Sequence, residues 1–185
     1  VMANPRQACR IASPPYDVVS RSEAAELARH NPLSFLHVTR AEVDLDSEVS
    51  PYSDRVYGLA RERFRRMLAS AALVRDHAPT FYLYALAKGG HQQVGIALTA
   101  SVDDYDANIV RKHERTRQDK EDDRTRHIAA VGAQTGPVFL TYRDQPDIDG
   151  NVLRVMATEP IIHLAAPDGV SHRVWRMPAE LTESV

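Results

Sequence analysis

Phe81-Tyr82-Leu83-Tyr84-Ala85-Leu86, then Gly89-Gly90, then Val94-Gly95-Ile96-Ala97-Leu98-Thr99-Ala100-Ser101-Val102 is the stretch that decides the fold class. The first run is apolar or aromatic at every position, which predicts a strand covered on both faces. The glycine pair is a turn, and the second run is the expected hairpin partner. Helical patterns lie on both sides of this hairpin, so a sheet with helices packed on it is expected.

Toward the N-terminus, Ser20 stands three residues before Glu23, the spacing of a capping box. The helix it opens carries Ala24, Leu27 and Ala28 as its apolar stripe and ends at Asn31-Pro32. Phe35-Leu36-His37-Val38-Thr39 reads as a strand, with His37 a hydrogen-bonded structural imidazole and Arg40, which could reach phosphate, read as a surface residue. Glu42 to Glu48 reads as an acidic loop. Ser50-Pro51 predicts a second helix, with serine as N-cap and proline at the first helical position. Tyr52, Val56, Leu59, Ala60, Phe64, Met67, Leu68 and Ala71 then recur at helical spacing, opposite Arg55, Arg61, Glu62, Arg65 and Arg66.

Toward the C-terminus, Asp103 to Asp106 reads as a loop. A polar helix is expected from about Thr116 to Gln134. Gly136-Pro137 punctuates the chain, Val138 to Tyr142 reads as a strand, and Asn151 to Ala157 as a short helix closed by Pro160. Ile161 to Leu164 and Val170 to Met177 flank Pro167-Asp168-Gly169, a hairpin signal that lets His163 and His172 pair. The expected fold is α/β of the α+β type: one domain over 1–185, with a mixed, mostly antiparallel sheet flanked by helices.

Composition narrows the function classes. Twenty-three Lys and Arg against 25 Asp and Glu leave a net charge of -2, so no global field favours nucleic acid or an anionic membrane. No basic patch interleaved with aromatics is visible, and nucleic acid is not an expected partner. No apolar run is long enough for a membrane-spanning helix, and no signal peptide is visible. The single cysteine, Cys9, forms no internal disulfide and has no catalytic context. A cytoplasmic location is expected. Val1 and the closing Thr182-Glu183-Ser184-Val185 read as cut ends of a longer protein. The chain has no glycine-rich phosphate loop, no dinucleotide fingerprint and no serine-hydrolase elbow.

The segment richest in chemistry is His113-Glu114-Arg115-Thr116-Arg117-Gln118-Asp119-Lys120-Glu121-Asp122-Asp123-Arg124-Thr125-Arg126-His127. It carries both charge signs, two imidazoles and no aliphatic side chain. As a helix, at about 100° per residue, it places Thr116, Lys120, Asp123 and His127 on one face, flanked by His113 and Arg124. Lys120 suits phosphate as a point charge and Arg124 as a fork. Thr116 and first-turn amides can hold an anion. Asp123 can orient Arg124 or a metal-bound water, and His113 or Glu114 can act as a general base. The same charges at spacings of three and four also describe a solvated helix held by weak ion pairs. Tyr16 and Asp17, in Pro14-Pro15-Tyr16-Asp17, are either substrate contacts or a rigid entry into the first helix. Two histidines alone, His163 and His172, make no structural zinc site, and no metal ligands are assigned.

Several spaced blocks together resemble the bacterial and archaeal family catalogued as domain of unknown function 1015. They are Pro14-Pro15-Tyr16-Asp17-Val18-Val19-Ser20, Asn31-Pro32-Leu33-Ser34-Phe35-Leu36, His113-Glu114-Arg115-Thr116 with Lys120 and Asp123-Arg124, and Asp168-Gly169-Val170 with His172 and Trp175-Arg176. The resemblance covers nearly the whole chain. Family members run to about twice this length, so it implies an N-terminal portion whose partner is the missing C-terminal half. It also implies distant similarity to the ParB–sulfiredoxin superfamily, which includes nucleotide-dependent kinases. The Gly-His-His-Arg element of that similarity lies beyond these residues, and the fragment is expected to be inactive alone. What the resemblance implies is phosphate handling on a small-molecule substrate with a nucleotide (ATP or ADP) and Mg2+. Lys120, Arg124 and Thr116 would bind phosphate, His113, Glu114 and Asp123 would carry catalysis, and Tyr16 and Asp17 would touch substrate. The alternatives are a non-catalytic nucleotide-binding or regulatory module of ParB-like type, and a polar segment that only joins this half to the other.

Overall fold

The computed structural model describes residues 1–112 and 115–182. In chain order the elements are β1 (Met2–Ala3), α1 (Ala8–Ile11), α2 (Arg21–Ala28), α3 (Leu36–Thr39), α4 (Asp54–Ala69), β2 (Leu73–Val74), β3 (Tyr82–Lys88), β4 (His91–Ala97), α5 (Val102–Asp106), α6 (Gln118–Val131), α7 (Pro146–Met156), β5 (Ile162–Ala165), β6 (Ser171–Arg176) and α8 (Ala179–Thr182). Short 3-10 turns occupy Pro5–Gln7 and Ala41–Asp44. The class is α+β, as expected, and every strand pairing among the described residues is antiparallel. The chain folds as two compact units, Val1–Val74 with Glu114–Phe139, and Arg75–His113 with Leu140–Val185.

The first unit is mostly helical. α2 starts as its sequence dictates: the Ser20 hydroxyl accepts from the Glu23 amide, and the Glu23 carboxylate accepts from the Ser20 amide. These two bonds hold the Glu23 carboxyl below its ordinary range. α4 buries Val56, Tyr57, Ala60, Phe64 and Met67, and Ile11, Val38, Ala41 and Val131 close the same core. α6 packs on α4 and stops at Gly132, whose φ of 75° is the left-handed C-cap conformation that glycine adopts without strain.

The second unit is built on a four-stranded sheet in the order β4-β3-β6-β5. Gly89 and Gly90, both at positive φ, make the β3–β4 turn. Leu83 and Ala85 of β3, Trp175 of β6, Val155 of α7 and Met177 form its core. The Trp175 indole donates to the Thr158 carbonyl at 2.9 Å, so the largest buried side chain also has its polar atom satisfied.

Several local expectations give way. Phe35–Thr39 is not a strand: Leu36–Thr39 is one helical turn, with Leu36 and Val38 fully buried. Tertiary burial overrides the β-propensity of this short run. Ser50 does not cap α4. Its hydroxyl accepts from the Tyr52 amide in a preceding turn, and Ser53 takes the cap position before Asp54. Leu27 is exposed, so α2 packs through Ala24 and Ala28 alone. β4 ends at Ala97, and Ser101 caps a helix over the Asp103–Asp106 region read as loop, accepting from the Asp103 and Asp104 amides. β3 is not covered on both faces, because Tyr84 is exposed. Val138–Tyr142 forms no strand and is largely exposed. α7 begins at Pro146, five residues earlier than expected, with proline in its first turn. His163 and His172 do not pair; His163 meets the Ser171 hydroxyl, and His172 meets the Tyr84 hydroxyl at 2.7 Å.

Candidate functional site

The candidate site lies in the first unit, where the Pro-Pro-Tyr-Asp turn meets α6. The Val18 amide closes the turn onto the Pro15 carbonyl, and proline at two successive positions restricts the backbone leading into Tyr16. The Arg124 guanidinium lies 4.1 Å from the centre of the Tyr16 ring, a cation–π contact. The Arg40 Nη1 donates to the Tyr16 carbonyl at 3.0 Å. Gly136 backs the same ring, at 3.5 Å from where a Cβ would stand.

Each guanidinium has a carboxylate beside it. Arg124 donates through Nε and Nη2 to one oxygen of Asp123, at 3.0 and 2.6 Å. The other Asp123 oxygen accepts from the Tyr57 hydroxyl at 2.7 Å. Burial first, and then this bond to Asp123, push the Tyr57 phenol up to about 12. Arg40 Nε lies 2.7 Å from Glu42 Oε1, close enough for an ion pair but not aligned as a hydrogen bond. The Glu42 side chain is only 6% exposed, and Arg40 is the cation paired with it. The network continues to Arg21, whose guanidinium donates to the carbonyls of Glu42, Leu45, Asp46, Ser47 and Val49. One side chain thus anchors the whole acidic stretch read as a loop.

His127 is buried beneath these charges. Its Nε2 bonds the Val38 carbonyl at 2.9 Å, and Nδ1 lies 3.5 Å from the Thr135 hydroxyl. Desolvation pulls its pKa below the ordinary imidazole value. It is a core histidine, not part of an open polar stripe.

Two more tyrosines meet cations of α6. Lys120 Nζ bonds the Tyr52 hydroxyl at 3.0 Å and sits 5.5 Å from that ring. The Tyr52 hydrogen bond is the main reason its ammonium is held above the ordinary lysine value. Arg126 lies over the Tyr57 ring at 4.5 Å and pairs with Asp54. Between them is a cleft of about 150 Å³ lined by Tyr52, Tyr57, Asp119, Asp122, Asp123 and Arg126.

Of the residues singled out in the sequence, Tyr16, Asp123 and Arg124 come together. Lys120 stands with Tyr52 and, among the described residues, has no carboxylate within ion-pair distance. Asp17 is exposed. Thr116 is exposed ahead of α6, which starts at Gln118, so it does not share the helical face expected of it. His113 and Glu114 lie outside the described residues. Tyr57, Arg40 and Glu42 belong to the network without having been singled out for it. Tyr57 falls beside the apolar stripe of α4, which is the one sequence signal that could have marked it. Among the described residues, no three His, Cys, Asp or Glu side chains gather to hold a metal, and no helix is long and apolar enough to cross a membrane.

An α+β chain whose charged and aromatic side chains meet between one helix and one proline-led turn defines a class without naming a reaction. The model of the family described as Protein of unknown function (DUF1015) matches residues 1–183, and the chain belongs to that family. No curated protein and no solved structure matches it.

Proposed function

We propose that the first unit holds a phosphate group of a nucleotide, as the N-terminal part of a phosphotransferase-like enzyme acting on a small molecule. One observation carries this reading. Arg124 and Arg40 converge on Tyr16, one on its ring and the other on its carbonyl. A solvated helix would have no reason to bind a turn 108 positions earlier in the chain. Arg124 keeps Nη1 without a protein partner among the described residues, and Lys120 keeps an ammonium unmatched by carboxylate. These are the donors offered to phosphate, a fork edge and a point charge. Asp123 then acts as a positioning group, fixing the guanidinium plane that the ligand meets.

Among the described residues the magnesium expected with a nucleotide finds no protein cage: Asp123 spends its oxygens on Tyr57 and Arg124. The ion is therefore assigned to the ligand's own phosphates, the usual arrangement for Mg2+. His113 and Glu114 retain the proton-transfer role in this proposal, Asp17 a substrate contact, and the cytoplasm is the proposed location.

Calorimetric titration of the chain with MgATP and MgADP tests the reading. Arg124→Ala should weaken binding roughly tenfold or more, the loss expected for a charged hydrogen-bonding group. Lys120→Ala should weaken it less, and Arg65→Ala, on an exposed position of α4, not at all. Wild-type affinity in a folded Arg124→Ala variant overturns the proposal, as does absence of any nucleotide binding by the wild-type chain. Turnover against a panel of small hydroxyl compounds, in a longer family member, then separates transferase from binding module.

A further inference from the structure

The second unit offers a different feature, one that stands apart from the nucleotide reading. Its sheet has two outer strands, β4 and β5. An outer strand presents unpaired amides and carbonyls, and proteins ordinarily blunt it with short length, proline or charge. β5 follows that rule: it has four residues, with Pro160 before it and Pro167 after it. β4 does not. It runs seven residues, His91-Gln92-Gln93-Val94-Gly95-Ile96-Ala97, with no proline and no Asp, Glu, Lys or Arg. Among the described residues its only strand partner is β3.

We propose that β4 pairs antiparallel with β4 of a second copy of this chain, joining two four-stranded sheets across a two-fold axis. The strand is self-complementary. In a register centred on Val94, Gln93 faces the partner's Gly95, Gln92 faces its Ile96, and His91 faces its Ala97. Facing positions differ by an even number, so side chains on one face of the sheet stay on that face. Val94 and Ile96, opposite Ala85 and Leu83 and packed on the core, would continue the apolar layer into the second copy. Reversing an uncharged strand onto itself sets no like charges opposite each other, which is why a second copy fits better than a charged partner. The contact is one strand wide. It falls short of the roughly 1,200 Å² of a stable interface, so a concentration-dependent dimer is expected, not a permanent one.

Sedimentation of the chain from dilute to millimolar protein, with backbone hydrogen exchange at both ends of that range, tests this. The expected result is a mass rising toward two chains, with amides of residues 91–97 gaining protection as the protein is concentrated. The Gln93→Lys/Gly95→Lys double variant should stay at one chain mass with an unchanged circular dichroism spectrum. Both positions are exposed, and a Cβ on Gly95 meets nothing within 4 Å. A wild-type chain that remains a single copy at millimolar concentration overturns the proposal. So does a dimer that survives the double variant, or one whose β4 amides gain no protection. If the variant misfolds, the wild-type exchange data decide alone.

Discussion

The two units solve the same problem by opposite means. In the second, order comes from the backbone: β3 pairs along its length with β4 on one side and β6 on the other, and a small apolar cluster seals one face. In the first, strands contribute two residues each, and distant segments are tied by side-chain charge. Arg21 gathers a loop, Arg40 and Arg124 clasp Tyr16, and Asp123 joins α6 to α4 through Tyr57. Polar networks of that kind specify one arrangement only when every member is satisfied. The sheet unit should therefore fail through its core, and the helical unit through single polar groups.

The largest expected effect is on the sheet side. Trp175 is 1% exposed and touches the cluster of Leu83, Val155 and Met177. Trp175→Ala removes that volume and orphans the Thr158 carbonyl, and should cost about 3–5 kcal/mol by urea denaturation. Exchange protection should collapse in β3 and β6 first. If the variant loses under 1 kcal/mol, the claim that packing holds this unit is wrong.

The helical unit should break at Arg21. Arg21→Ala leaves five carbonyls between Glu42 and Val49 to water, and a loss of roughly 2 kcal/mol is expected. The diagnostic is the lysine variant. One ammonium cannot span five acceptors that a planar fork reaches, so Arg21→Lys should recover little stability. Amides of residues 42–49 should exchange faster in both variants, while those of β3 stay unchanged. Full rescue by lysine would mean that charge, not fork geometry, organises the loop.

How much of this was legible in the sequence follows the same division. Local grammar read well: the Ser20–Glu23 capping box and the Gly89-Gly90 and Asp168-Gly169 turns depend on neighbours a few residues apart, whereas α6, expected to run to about Gln134, stops at Val131 because Gly132 caps it. Features decided by distant burial did not. Phe35–Thr39 has strand-forming residues, yet a single helical turn buries Leu36 and Val38 better. Val138–Tyr142 has the composition of a strand but, among the described residues, nothing pairs with it. At the site, Tyr16, Asp123 and Arg124 were legible from residue type and motif. Arg40 and Glu42 were not, because an arginine after a supposed strand and a glutamate in a supposed loop both read as solvent-facing. Only closure of the fold brings Arg40 onto Tyr16 and buries Glu42 beside it.

The smallest expected effect sharpens the comparison from inside the helical unit. His127 is neutral in the fold because burial disfavours its charged form, with Arg124 opposing the charge as well, while the Val38 carbonyl, Asp123 and Glu42 favour it. A folded pKa below the unfolded value means that protons bind the unfolded chain more readily. The contribution is therefore fully present above pH about 6.5 and is lost as pH falls from there through the depressed folded value. The chain carries seven other histidines, so the useful quantity is a difference. Urea midpoints of wild type and His127→Gln, taken from pH 8 to pH 5, should converge as pH falls, because glutamine can still donate to Val38 but carries no titrating proton. Parallel curves would show that His127 takes up its proton without penalty. The Thr135 hydroxyl would then have turned to accept from Nδ1, and the surroundings of His127 would be wetter than its burial implies.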